Sequence, residues 1–85
     1  MTALDLIKQG WCQGQSNKRS GFLFMRTSHC AISAISKVYG LRTPATFKAI
    51  KKVEDVVGCS FIIRWNDDPA RTHEEVIAAF EKARV

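Results

Sequence analysis

The feature that most constrains this chain is its punctuation. Gly10, Gly40, Gly58 and the turn Asn66-Asp67-Asp68-Pro69 cut it into short amphipathic stretches. No apolar run exceeds five residues, so no segment approaches the ~20 apolar residues that span a bilayer. The pieces must bury their apolar sides against one another, and 85 residues suffice for one domain, residues 1–85, around one core.

Between the stops, helix and strand signals alternate. Thr2–Gln9 reads as a helix with Thr2 as cap and Asp5 placed to reach back to it, stopped by Gly10 in a left-handed conformation. Trp11–Gln15 and Phe22–Arg26 read as two strands of a hairpin, with Ser16–Gly21 as the turn. In the second strand Phe22 and Phe24 would share one face, Leu23 and Met25 the other. A second helix is expected from about Ser28, with Ala31, Ile32, Ala34, Ile35 and Val38 as its stripe, ended by Gly40 with Leu41 packing back.

Thr43-Pro44 opens a third helix, with Phe47, Ile50, Val53 and Val57 on the inner side and Lys48 and Lys52 opposite. Ser60–Trp65 alternates like a strand. Thr72-His73-Glu74-Glu75 is a capping box for a last helix carrying Val76, Ala79, Phe80 and Ala83. The order α-β-β-α-α-β-α predicts an α+β fold: a small antiparallel sheet of two to three strands packed against helices.

Charge is divided along the chain. Leu6–Val53 holds nine basic residues and no Asp or Glu, whereas Glu54–Val85 holds seven acidic and four basic ones, within a formal net charge of +5. This asymmetry predicts an acidic partner for the first half, either nucleic acid or an acidic protein surface. Two clusters would carry it: Lys18, Arg19 and Arg26 on the hairpin, and Lys48, Lys51 and Lys52 on the third helix. The plainer reading of the lysines is a solvated helix face. The start, Met1–Gln9, carries Asp5 and has neither a basic opening nor a long apolar stretch, so a cytoplasmic protein without a membrane partner is expected.

Three cysteines without a secretory signal, Cys12, Cys30 and Cys59, argue for reduced thiols and against a disulfide framework. Cys30 falls near a helix start, where a thiol pKa is lowered. With His73 as base and Asn66 or Asp67 as orienter it could form a Cys-His-Asn type of arrangement; the plainer reading is a packed thiol. No pair of Cys or His has the short spacing of a zinc site, so neither metal nor cofactor is expected. Trp11, Gln13, Trp65, Asn66 and Asp67 combine aromatic walls with orienting polar groups, the makings of a pocket. Their structural reading comes first: two tryptophans anchoring a small core and a turn closed by Asn66-Asp67.

Gly10-Trp11-Cys12-Gln13-Gly14, then Ser28-His29-Cys30-Ala31-Ile32-Ser33-Ala34, then Trp65-Asn66-Asp67 and Thr72-His73-Glu74-Glu75-Val76 resemble a family of small uncharacterised bacterial and phage domains. That family's pattern runs Gly-Trp-x-Gln-Gly, a Cys-containing helix start, Trp-Asn-Asp and Thr-x-x-Glu-Val. The resemblance covers nearly the whole chain, with Ser33 standing where members often have glycine. It implies a bacterial or phage origin and no particular activity. The sequence thus predicts a non-enzymatic interaction module with an acidic partner, such as a phage-type accessory or inhibitor protein. The alternative is a thiol-dependent enzyme or small-ligand binder centred on Cys30 and Trp65-Asn66-Asp67.

Overall fold

A computed structural model describes residues 1–14, 17–20 and 26–85, and the side chains of 1–14 and 28–85. Five helices dominate it: α1 (Ala3–Gln9), α2 (Ala31–Tyr39), α3 (Pro44–Val57), α4 (Ile62–Asp67) and α5 (His73–Ala83). The strands are β1 (Asn17–Ser20) and β2 (Arg26–His29), a four-residue antiparallel pair in which Lys18 faces Ser28 and Arg19 faces Thr27. The order is α-β-β-α-α-α-α.

The α+β expectation is therefore corrected: the protein is mostly helical. Among the described residues no multi-stranded sheet forms a layer against the helices. The third expected strand, Ser60–Trp65, is instead α4. Ile62, Trp65 and Asn66 turn inward while Phe61, Ile63 and Arg64 are exposed. That is the i, i+3, i+4 spacing of a helix, and so short a stretch satisfies either period. Nothing local announces this helix. Phe61 gives no side-chain cap, and the Ile62 N–H is taken by the Glu54 carboxylate of α3 at 3.2 Å.

The hairpin is also shifted. β1 occupies part of the expected turn, β2 includes Ser28, and α2 starts at Ala31 with Cys30 as its cap. Trp11–Gly14, the described part of the expected first strand, is not a paired strand: Trp11 makes a single parallel bridge to His29. His29 N–H donates to the Gly10 carbonyl at 3.1 Å and Cys12 N–H to the His29 carbonyl at 3.2 Å. The faces expected for Phe22–Met25 lie outside the described residues.

Gly10 is needed for closeness, not for handedness. Its φ of 174° is extended, and a Cβ there would meet Ser28 Oγ at 2.7 Å.

Hydroxyl caps hold three helices, beside the Cys30 cap of α2. Thr2 and Asp5 form a capping box on α1, Thr72 and Glu75 one on α5, and Thr43 accepts from Thr46 N–H ahead of Pro44 on α3. The core draws on every helix, with Ile7, Ile35, Val53, Trp65 and Phe80 among its larger members. α5 packs on α1 and α3, and α2 lies against α1, α3 and α4. Three residues expected inside are not, Val38 of the α2 stripe among them. Phe47 is 59% exposed, and Leu41, expected to pack back over α2, is 78% exposed. Among the described residues no helix is long and apolar enough to cross a membrane.

Candidate functional site

The segments Gly10–Gly14 and Trp65–Asp68 meet around one buried amide. Asn66 Oδ1 accepts from the Trp11 indole N–H at 2.7 Å and from the Ala31 backbone N–H at 2.9 Å. Its Nδ2 donates to the Cys12 carbonyl at 3.1 Å and to Asp67 Oδ1 at 2.9 Å. An amide has two donor hydrogens and one carbonyl oxygen with two lone pairs, so this side chain is satisfied by the protein itself. The four partners also fix which atom is oxygen and which nitrogen.

Gln13 reinforces the clasp, with Nε2 donating to the carbonyls of Asn66 at 2.9 Å and Asp68 at 2.7 Å. Gly14 N–H donates to Asp67 Oδ1 at 3.0 Å. Trp65 is buried in the core, and Arg71 covers it. The guanidinium lies 4.4 Å from the ring centroid, Nε donates to the Trp65 carbonyl at 2.9 Å, and Glu75 pairs with its far end at 3.2 Å. Arg71 carries no spacing signal that would have singled it out. The structure thus brings Trp11, Gln13, Asn66 and Asp67 together, with their polar atoms engaged with one another and with backbone.

Cys30 sits beside this clasp as the α2 cap, its sulfur accepting from Ser33 N–H at 3.3 Å. Burial pushes its thiol pKa up, and the nearby Asp67 charge adds to the rise; the backbone N–H groups of the helix start pull the other way without prevailing. A protonated thiol is a poor nucleophile. His73 does not bond it: Nε2 meets the Ile7 carbonyl, and the ring stacks on Trp11 with centroids 6.0 Å apart. His29 is buried, with Nδ1 3.2 Å from Ser33 Oγ. Burial and then Lys37 hold its pKa below 6.5. Among the described residues no group of three or more His, Cys, Asp or Glu side chains is gathered to hold a metal ion.

The basic clusters fall on different elements. Lys18 and Arg19 lie in β1 and Arg26 in β2, whose side chains are outside the described set. Lys48, Lys51 and Lys52 are exposed on α3. Lys51 is paired with Asp55 at 3.0 Å, which raises its pKa. Lys48 and Lys52 have no ion-pair partner among the described residues. The exposed Leu41 and Arg42 ahead of α3 and Phe47 in its first turn were not read as site residues in the sequence. Phe47 in particular carries the helix period and reads as core.

No curated protein and no solved structure matches the chain. A family of unknown function, DUF6197, matches residues 1–85, and the chain belongs to that family.

Proposed function

We propose that the protein is a non-enzymatic interaction module whose α3 face docks an acidic partner. The carrying observation is the state of the charges on α3. Both of its carboxylates are engaged, Glu54 with Ile62 N–H and Asp55 with Lys51. Lys48 and Lys52 are exposed and have no ion-pair partner among the described residues. Exposed like charges gain free energy from a partner of opposite sign and steer its approach. A cytoplasmic accessory or inhibitor role in a bacterial or phage setting suits such a module. The thiol-centred alternative draws less support, because Cys30 serves as a helix cap with a raised pKa and His73 is bonded elsewhere.

The test compares two variants in one assay. Fluorescence anisotropy reads binding to labelled duplex DNA, single-stranded RNA and poly-glutamate at low salt. The triple reversal Lys48→Glu, Lys51→Glu and Lys52→Glu is expected to abolish binding, while Cys30→Ala leaves it unchanged. Binding lost in Cys30→Ala and kept in the triple reversal would transfer the function to the thiol.

A further inference from the structure

The corner between α2 and α3 carries an inference that rests on the acidic-partner reading and narrows it. We infer that this corner docks an acidic segment of another protein that brings apolar anchors of its own.

The corner is a fixed platform. Gly40 to Thr43 join the two helices. Thr43 Oγ1 donates to the Tyr39 carbonyl at 2.7 Å and accepts from Thr46 N–H at 3.1 Å, while Thr46 Oγ1 donates to the Gly40 carbonyl. Gly40 has φ of 101°, and a Cβ there would stand 2.7 Å from Thr43 Cγ2. Arg42 holds the left-handed φ of 57° that non-glycine residues seldom adopt. The connection is thus tied at both ends, and it holds Leu41 and Phe47 out in water, with Val38 at the edge of exposure.

Three bases neighbour these apolar residues in the chain, Lys37 beside Val38, Arg42 beside Leu41 and Lys48 beside Phe47, all exposed. No Asp or Glu occurs between Leu6 and Val53 to offset them, and the two carboxylates farther along α3 are engaged. The corner therefore offers cations and apolar groups together. A nucleic acid would match the cations and could stack a base on Phe47, but it would leave Leu41 and Val38, which have no ring, without a partner. A bilayer would be met by a wide apolar helix face with aromatic anchors, whereas this is one turn. An acidic segment with interspersed Leu or Phe complements both features, charge by charge complementarity and apolar groups by mutual burial.

The experiment uses the full chain, labelled with ¹⁵N, and a 20-residue peptide of Glu with Leu at i, i+3, i+4 and i+7 spacing. The controls are the same peptide with every Leu replaced by Ser, a DNA duplex, and anionic phosphatidylserine vesicles. The Leu peptide is expected to shift the amides of Leu41, Arg42, Phe47 and Lys48. Its affinity should exceed that of the Ser peptide by ~10-fold or more, and the Leu41→Ser/Phe47→Ser protein should lose that margin. Those residues are exposed, so the variant should melt at the wild-type temperature.

Equal affinity for the two peptides, unmoved by Leu41→Ser/Phe47→Ser, would overturn the anchor and leave the acidic-partner reading standing. Stronger binding to duplex or vesicles than to the Leu peptide would assign the corner to that partner instead. No binding to any probe at low salt would overturn both readings.

Discussion

At the scale of single residues, Asn66 is the most demanding position in the molecule. It is buried, and its one amide joins Trp11, Cys12, Ala31 and Asp67. Asn66→Ala would leave the indole N–H, the Ala31 N–H and the Cys12 carbonyl without this partner. Each orphaned buried group costs about 1–3 kcal/mol, so a loss of ~3 kcal/mol or more is expected in chemical denaturation. Trp11→Phe removes one donor and leaves Asn66 with the other, so it should cost only about 1 kcal/mol in the same measurement. Equal losses from the two would contradict the hub role.

His29 supplies the pH dependence. Its folded pKa lies below 6.5 because burial disfavours the cation. The unfolded chain therefore binds the proton first, and stability present above pH 6.5 is lost as pH falls through the folded pKa. The melting temperature should drop below that pH, before the range in which Asp5 and Glu75 titrate, whose pKa values are lowered from 3.8 and 4.5 by their cap hydrogen bonds. His29→Gln should flatten the first part of the profile. In the sequence, the residues of this clasp stood out by type, as aromatic and amide groups near turns. Their bonding to one another was not legible, because partners some 55 positions apart leave no periodic trace.

The helices divide by how locally they are specified. α1, α3 and α5 carry their own start signals in Thr2, Thr43 and Thr72, and these were readable because a cap needs only three neighbouring residues. Thr72→Ala removes the half of the α5 box in which Thr72 Oγ1 accepts from the Glu75 N–H, and leaves the backbone N–H of residue 72 to donate to the Glu75 carboxylate. It is expected to cost about 1 kcal/mol, a fall of roughly 4–8 °C in melting temperature for a domain of this size. A change within error would show that packing on α1 and α3 holds α5 without its cap. α4 is the opposite case. It has no cap of its own, and its first N–H donates to the Glu54 carboxylate of α3. The strand expected there follows from an alternation that six residues cannot distinguish from a helix turn. β1 and β2 escaped recognition for a related reason: Asn17–Ser20 is polar throughout and has no alternation to read.

Across the whole molecule, the division of charge was legible from composition alone, and the fold gives it a location. The carboxylates of α3 are engaged near its C-terminal end, and Lys48 in its first half is exposed, next in the chain to exposed Phe47 and without an ion-pair partner among the described residues. The Trp-Asn-Asp and Gly-Trp-x-Gln-Gly residues, which look like a site in the sequence, spend their polar atoms holding α1, α2 and α4 together. The proposed interaction surface is thus separate from the residues of the clasp, and changes in one should leave the other measurable.

The salt dependence of binding tests that account most directly. Affinity of the unmodified protein for poly-glutamate and for duplex DNA would be measured by anisotropy at about 50 and 200 mM salt. The account predicts binding to an acidic probe at low salt that weakens steeply at the higher concentration, with the melting temperature little changed between the two. Binding that is insensitive to salt, or no binding to any acidic probe at low salt, would contradict it.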